Sequence, residues 1–409
     1  MPQEADRHQP TPDIRVRAFL RRHPKKVLLC FNLGVFLLVL LAAELGVRMF
    51  APPWLQFRME AARFGGDRTP EVGTDANWKV ERKDGRFLRF VPGSAFDVLH
   101  AEYRTRAEFD ELGGRKVVPQ SRSAELLPWL GDSFAFGLGV EGSEALVSLL
   151  QRSVPQRLLN LGVSGSALHS QRFILENRHA ELGRPPLYVF VVYLGNDFAD
   201  ILSNHRNDNQ QPRSSANPEG SLRAISRSVN HFVNHSALAY SFLIQYVKRP
   251  LLRVLNKRSQ DSMLIDPVFL LMDRRRQRYR AEAEAAMESE MSALESDAKR
   301  LGFRCLFIAI PDRHQVSRRR LRERARFYGI SLSELETTSP NTLLRMLVEK
   351  HEFDLLDPTA ELSRRSDVDS LYYVYDDHLT ASGHRAVAEI LSAQFAGKVR
   401  YLLESQTPR

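Results

Sequence analysis

The chain has 409 residues, of which 43% are hydrophobic and 26% are charged, which is typical of a globular protein with one large domain plus extensions or with two domains. Its formal net charge is +9, but residues 1–26 carry seven Lys or Arg against three carboxylates, so much of the excess is local and does not indicate nucleic-acid binding. The two cysteines, Cys30 and Cys305, lie in separate apolar segments and predict no disulfide.

The N-terminal region predicts a membrane anchor. Residues 1–26 are polar, basic and proline-containing, as expected of a cytoplasmic tail, and residues 27–47 form an apolar segment of about the length that spans a hydrocarbon core as a helix. Basic residues before this segment place the remaining chain outside the cytoplasm, in the periplasm or at the cell surface. A cleaved secretory signal is the alternative, although the apolar run is longer than the usual signal core.

The rest of the chain divides by composition. Residues 48–122 contain diproline and diglycine pairs and aromatic residues without a clear period, which predicts a stalk and a small, partly stranded extension with no assigned chemistry. Residues 123–409 alternate strand and helix patterns and predict an α/β domain with a mostly parallel sheet. Pro128, in the first strand, predicts a bulge or an irregular start there, because proline cannot donate to a ladder.

The predicted strands are Leu126–Leu130, Arg157–Leu161, Leu187–Leu194, Arg304–Ile310 and Phe353–Leu356. The clearest predicted helices are Ser143–Ser153, Ala167–Leu182, Arg276–Leu301, Leu343–His351 and Ser382–Phe395. An insertion at about 200–273 contains a predicted loop, Asn204–Asn217, and an apolar stretch, Ser236–Val247. That stretch is too short to span a membrane and predicts a packed amphipathic helix, with an active-site lid or a membrane-surface contact as alternatives.

Four polar motifs follow predicted strands or precede the last helix. The first is LGDSFAFG at 130–137, with Ser133 in a small turn, and the second is NLGVSGS at 160–166. The third is Gly195-Asn196-Asp197, and the fourth is YDDHLTASGH at 375–384. Because ligands of an open parallel sheet bind outside the carboxyl ends of its strands, these motifs are expected to converge on one crevice.

Taken in order, Gly131-Asp132-Ser133, Gly165, Gly195-Asn196-Asp197 and Asp376-Asp377-His378 resemble the four blocks of the SGNH (GDSL-type) esterases and acyltransferases. The resemblance covers roughly residues 123–397, and the Asp-x-His spacing is similar to that of a bacterial membrane-anchored branch. It implies a three-layer α/β/α sandwich with a flavodoxin-like sheet and no cofactor.

The resemblance also implies a role for each site residue. Ser133 is the nucleophile, His378 the general base and Asp376 the group that orients the histidine, with an oxyanion hole from the N–H groups of Ser133 and Gly165 and the side chain of Asn196. A serine hydroxyl needs such a base to become a useful nucleophile, and imidazole titrates in the appropriate range. Many members place the acid three residues before the histidine, where this chain has Tyr375, so Asp377 stays open as an alternative acid.

These features predict a membrane-anchored serine esterase or O-acyltransferase that works through an acyl-enzyme. The expected substrates are ester-bearing small molecules or glycans, including O-acetyl groups of cell-surface or exported polysaccharide, while protein partners are not indicated. The alternative function is a non-catalytic carbohydrate-binding or assembly protein that retains the fold.

Simpler interpretations apply to several polar residues of these motifs. Asp132 is expected to stabilise a turn, and Asp197 and Ser382 are expected to cap helices. A metal cluster of Asp376, Asp377, His378 and His384 is a further alternative, which the absence of other His or carboxylate residues at ligand spacing disfavours.

Overall fold

The structure is a computed structural model that describes residues 23–50, 79–100, 102–209 and 267–405, together with residues 236, 239, 246 and 250. The strands are β1 (Val80–Lys83), β2 (Arg86–Phe90), β3 (Ala95–Leu99), β4 (Arg104–Glu108), β5 (Leu126–Gly131), β6 (Arg157–Asn160), β7 (Leu187–Tyr193), β8 (Arg304–Ile310) and β9 (Asp354–Leu356). The α-helices are α1 (Pro24–Met49), α2 (Ser133–Phe136), α3 (Leu146–Leu150), α4 (Leu168–Arg178), α5 (Asp197–Asn209), α6 (Pro267–Met272), α7 (Gln277–Leu301), α8 (Arg313–Val316), α9 (Arg318–Tyr328), α10 (Ser339–Lys350), α11 (Thr359–Ser363) and α12 (Ala381–Glu404).

A five-stranded sheet in the order β6-β5-β7-β8-β9 is the centre of the α/β domain, and every neighbouring pair is parallel. Alternate residues of each strand enter two separate hydrophobic clusters, one on each face of the sheet. Helices α4, α7 and α10 contribute to one cluster, and α3 and α12 to the other. The predicted three-layer α/β/α architecture is therefore confirmed.

Burial on both faces explains why the strands were readable in the sequence. All seven residues of β7 are buried, and this strand consists of aromatic, β-branched and leucine side chains, as expected for the centre of a parallel sheet. The ends of all five predicted strands lie within one residue of the observed ends. The ladder with β6 runs through Pro128 without a bulge, while pairing with β7 begins only at Trp129, so the expected irregular start occurs on the β7 side alone.

The predicted helices differ more from the observed ones. The segment Ser143–Ser153 is broken into two 3₁₀ turns and the short α3, because Ala145 adopts an extended conformation between the first turn and α3. The cap of the last helix was misassigned: Thr380, not Ser382, is the N-cap of α12, and its hydroxyl accepts the Gly383 N–H at 3.2 Å. The predicted loop from Asn204 begins inside α5, which continues to Asn209.

The region before the α/β domain contains two antiparallel hairpins, β1–β2 and β3–β4. In the first hairpin Asp84 and Gly85 both have positive φ, as a tight two-residue turn requires. Phe90 and Phe109 of this extension stack at 4.1 Å and pack near Phe136 of α2. Residues 51–78 of the predicted stalk and extension, and nearly all of the stretch Ser236–Val247, lie outside the described residues.

Helix α1 belongs to a different compact unit from the elements β1 to α12. It has 26 residues and a mean hydropathy of 2.4 in its most apolar window, which makes it long and apolar enough to cross a membrane. Length and composition of this kind are shared by a membrane span and a signal sequence.

Gly162 provides a test of how tightly the loop after β6 packs on α2. A Cβ atom there would lie 2.4 Å from the Phe136 nitrogen and 2.7 Å from the Ala135 carbonyl carbon. We expect Gly162→Ala to lower the free energy of unfolding by about 2 to 3 kcal/mol, measured by urea denaturation.

The control for this change is Gly397→Ala in α12, where no atom lies within 4 Å of the added carbon. Alanine is the better helix former, so this variant is expected to gain up to about 1 kcal/mol. Equal stability of the two variants would contradict the close approach at Gly162.

Candidate active site

Ser133 lies at the carboxyl end of β5, as its motif predicts, and is the first residue of α2. The Asp132 side chain caps this helix by accepting the Phe134 N–H at 2.9 Å, which agrees with the turn role expected for it. The helix ends after one turn at Gly137, which has a φ of +81°. This strand-to-helix turn places the serine at the carboxyl ends of the parallel strands, where the other motifs also lie.

His378 and Asp376 complete a linear hydrogen-bonded relay with Ser133. The Ser133 Oγ lies 2.7 Å from His378 Nε2, and the His378 Nδ1 lies 2.6 Å from Asp376 Oδ1. Because a carboxylate only accepts hydrogen bonds, Nδ1 carries the proton and the lone pair of Nε2 faces the serine hydroxyl. The Phe134 ring stacks on the imidazole with centroids 5.0 Å apart and supports its orientation.

The two adjacent carboxylates, Asp376 and Asp377, have different surroundings. The Asp376 side chain is 10% exposed and contacts the histidine, whereas the Asp377 side chain is 44% exposed and pairs with Arg313 at 2.7 Å. The structure therefore brings Asp376, and not Asp377, to the histidine ring.

Burial and the contact between His378 and Asp376 shift the pKa values of these two residues in opposite directions. Burial lowers the pKa of His378, but the Asp376 carboxylate, with smaller effects of Asp132 and Asp377, outweighs burial and leaves that pKa raised above its ordinary value. Burial raises the pKa of Asp376, and the imidazolium charge and hydrogen bond of His378 bring it well below its usual range. Asp376 is therefore ionised at neutral pH.

Two further carboxyl groups, those of Asp132 and Asp197, have raised pKa values. Burial raises the pKa of Asp132 to about 6. Burial, with Asp132 and Asp200 nearby, raises the pKa of Asp197 well above its ordinary value. Asp197 was expected to cap a helix, but its Oδ2 accepts the Tyr193 N–H at 3.0 Å at the end of β7.

The three expected oxyanion donors line one pocket of about 240 Å³, together with His378. Gly165 has a φ of +73°, and no atom lies within 4 Å of the position of a Cβ, so its backbone is open to the pocket. The Asn196 Nδ2 donates to Asp200 Oδ2 at 2.8 Å, which fixes the plane of the amide. Ser133 supplies an N–H of the first turn of α2, a position that has no carbonyl partner within the helix.

His384 does not join this site. It is buried, its Nδ1 accepts the Leu146 N–H at 3.2 Å, and burial lowers its pKa to about 3, so the ring is neutral. Within residues 23–50, 79–100, 102–209 and 267–405, no group of three or more His, Cys, Asp or Glu side chains is arranged to hold a metal ion.

Residues that the sequence did not single out contact the relay or the segments that carry it. Tyr103 donates to the second oxygen of Asp376, Glu102 binds the loop that carries Asp376, and Arg115 binds the loop after Ser133. All three precede residue 123, and no local pattern marked them.

Comparisons with known proteins give structural matches only. No family model matches the chain, and no curated protein matches it. A lipase/acylhydrolase from Enterococcus faecalis matches with 12% identity and a TM-score of 0.35, covering 67% of this chain and 96% of that one. A catalytic variant of an acetylxylan esterase from Geobacillus stearothermophilus matches with 15% identity and a TM-score of 0.31, covering 66% of this chain and 94% of that one.

A member of the lipolytic G-D-S-L family from Veillonella parvula matches with 11% identity and a TM-score of 0.33, covering 66% of this chain and 98% of that one. At these identities and scores the matches establish neither family membership nor activity for this chain. The chemistry of the site therefore rests on its own residues.

The unequal surroundings of the two carboxylates give a prediction for His378. Asp376→Asn removes the contacting carboxylate and leaves burial opposed only by the smaller effects of Asp132 and Asp377, so the pKa of His378 should fall toward or below its ordinary value of about 6.5. Asp377→Asn should change that pKa much less, because Asp377 pairs with Arg313. Titration of the imidazole C–H resonance by NMR measures both, and equal shifts would contradict the assignment.

Proposed function

We propose that the chain is a serine esterase or O-acyltransferase that works through an acyl-enzyme, with Ser133 as nucleophile, His378 as general base and Asp376 as the orienting acid. The observation that supports this most directly is the relay from Ser133 through His378 to Asp376, with both hydrogen bonds within the reach required for proton transfer.

In the proposed first step, His378 Nε2 accepts the proton of Ser133 as Oγ attacks the ester carbonyl. Asp376 stabilises the resulting imidazolium and keeps the ring in the required orientation. The negative charge on the carbonyl oxygen is stabilised by the N–H groups of Ser133 and Gly165 and by the Asn196 amide. The product of this attack is a tetrahedral intermediate. Its bond to the alcohol oxygen then breaks, His378 protonates the leaving alcohol, and the acyl-enzyme remains.

The second step determines whether the protein is a hydrolase or a transferase. Water attacking the acyl-enzyme completes hydrolysis, whereas an alcohol such as a sugar hydroxyl completes transfer, and His378 serves as base in either case. The pocket of about 240 Å³ has room for a short acyl group such as acetyl. We propose ester-linked acyl groups of small molecules or glycans as the substrate class.

The proposed location is extracytoplasmic, with the chain anchored by its N-terminal apolar segment at 27–47 and the tail at 1–26 in the cytoplasm. The support is the length and apolarity of α1 and the basic residues that precede it. O-acyl groups on cell-surface or exported polysaccharide would be accessible from that side of the membrane.

The alternative of a non-catalytic binding protein makes the opposite prediction for a serine-directed probe. We expect a fluorophosphonate to label the purified protein covalently, because its phosphorus takes the place of the ester carbonyl at an activated serine. Ser133→Ala should abolish labelling, and Ser164→Ala, which changes another serine lining the same pocket, should retain it. Mass spectrometry of the labelled peptide identifies the site, and labelling that persists in Ser133→Ala would refute the proposal.

Acyl transfer can be distinguished from hydrolysis by following the acetyl group. With an aryl acetate and a glycan acceptor, a transferase should form acetylated glycan in amounts that rise with acceptor concentration, whereas a hydrolase should form only acetate. Product analysis by mass spectrometry measures the partition, and Ser133→Ala is the control for uncatalysed acetylation. Acetate alone at every acceptor concentration would restrict the proposal to hydrolysis.

A further inference from the structure

The segment that carries Asp376 and His378 has no regular secondary structure. It lies between Tyr372 and Leu379, which form only an isolated bridge with each other. In such a segment the backbone N–H and C=O groups need partners from elsewhere in the molecule. We refer to residues 373–378 as the acid–base loop.

Glu102 supplies the partners for the N–H groups of this loop. Its Oε1 accepts the Val374 N–H at 2.8 Å, and its Oε2 accepts the N–H groups of Tyr375 and Asp376 at 3.0 and 2.8 Å. One carboxylate thus binds three consecutive N–H groups, and such charge-assisted bonds are stronger than neutral ones.

Arginine side chains bind the carbonyl groups of the same loop. The Arg313 Nη1 donates to the Val374 and Asp376 carbonyls at 3.2 and 3.1 Å, and the Arg320 Nη1 donates to the Val374 carbonyl at 2.8 Å. The acid–base loop is therefore held by Glu102 on its N–H side and by two arginines on its carbonyl side.

Tyr103 contacts the catalytic carboxylate directly. Its hydroxyl donates to Asp376 Oδ2 at 2.8 Å, so that Oδ1 is bound by His378 and Oδ2 by the tyrosine. The Tyr103 ring packs against His100 and Tyr373, with centroids 4.6 and 4.9 Å away, and is 7% exposed. The carboxylate can therefore rotate only by breaking its hydrogen bonds to both residues.

Arg115 binds the nucleophile side of the site. Its buried guanidinium donates to the carbonyls of Phe136, Gly137 and Val140 at 2.5 to 2.6 Å, where α2 ends and the next loop begins. Burial lowers its pKa to about 10, so it still carries its charge at neutral pH. One stretch of the extension thus contacts both the turn that holds Ser133 and the loop that holds its base.

We propose that residues 102–115 of the extension are a positioning element of the active site, in which Tyr103 fixes the Asp376 carboxylate and Glu102 fixes the acid–base loop. This inference rests on the proposed serine chemistry. A base must be held in a narrow range of positions for efficient proton transfer, and displacement by about 1 Å can cost about 100-fold in rate. The extension would therefore position active-site residues, a role that its sequence did not indicate.

The test compares Tyr103→Phe and Glu102→Gln with Tyr401→Phe, a control at a tyrosine of α12 that is 60% exposed. The full chain is purified in detergent, and each variant is assayed for its rate of fluorophosphonate labelling and for hydrolysis of p-nitrophenyl acetate. Circular dichroism gives the folded fraction, by which the rates are normalised.

We expect Tyr103→Phe to lower the labelling rate and kcat by about 10- to 100-fold with KM unchanged, because the ring is retained and only the hydrogen bond to Asp376 is lost. Glu102→Gln should have a similar effect, since its amide N–H would face a backbone N–H. Tyr401→Phe should behave as the wild type.

The pH dependence of kcat/KM distinguishes a positioning role of Tyr103 from a contribution to protein stability alone. The charges of Asp376, Asp132 and Asp377 raise the pKa of His378, and of these three Tyr103→Phe alters only the shielding of the Asp376 charge. With that charge less shielded, the imidazolium is favoured, so the acidic limb of kcat/KM should move to higher pH.

An unchanged labelling rate and an unmoved acidic limb in Tyr103→Phe would overturn the inference. So would a loss that disappears once rates are normalised to the folded fraction. If the wild type itself is not labelled, the serine chemistry fails and this inference fails with it, whereas a labelled wild type with unaffected variants refutes the positioning role alone.

Discussion

The hydrogen bonds that join Ser133, His378 and Asp376 depend on one irregular loop being held in a single position. Ser133 and His378 are 245 positions apart in the chain and 2.7 Å apart in the structure. Ser133 is positioned by a buried strand of the sheet and by a capped helical turn. The opposite side has no such support, and the side chains of Glu102, Arg313 and Arg320 replace the missing ladder of backbone hydrogen bonds.

The adjacent residues Asp376 and Asp377 differ in burial and in hydrogen-bond partners. Asp376 is buried between His378 and Tyr103, and Asp377 faces Arg313 with its side chain nearly half exposed. In the sequence the two residues differ by one position; the Asp-x-His spacing favours Asp376, but it leaves Asp377 as an alternative. Burial and hydrogen-bond partners make the distinction, which is why both had to stay open until the contacts were visible.

The sheet and the convergence of the motifs followed from the sequence, because a parallel strand buried on both faces has a distinctive composition and its carboxyl end marks the site. Helix α9 was not predicted: its sequence is dominated by arginines, and one of them, Arg320, is buried because it binds carbonyls of the acid–base loop. Glu102 and Tyr103 were missed for a related reason. Their partners lie more than 270 positions away, so no local periodicity could indicate them.

Because these partners are far apart in the sequence, the hydrogen bonds of the site can form only after the last part of the chain has folded. A chain that has formed β5 and α2 already presents Ser133, but it has neither base nor orienting acid until the last part of the sequence has docked against the extension. Truncated or partly folded chains therefore lack the complete relay even when most of the sheet is in place. In the proposed mechanism, Ser133 therefore gains its general base and orienting acid only in the folded molecule.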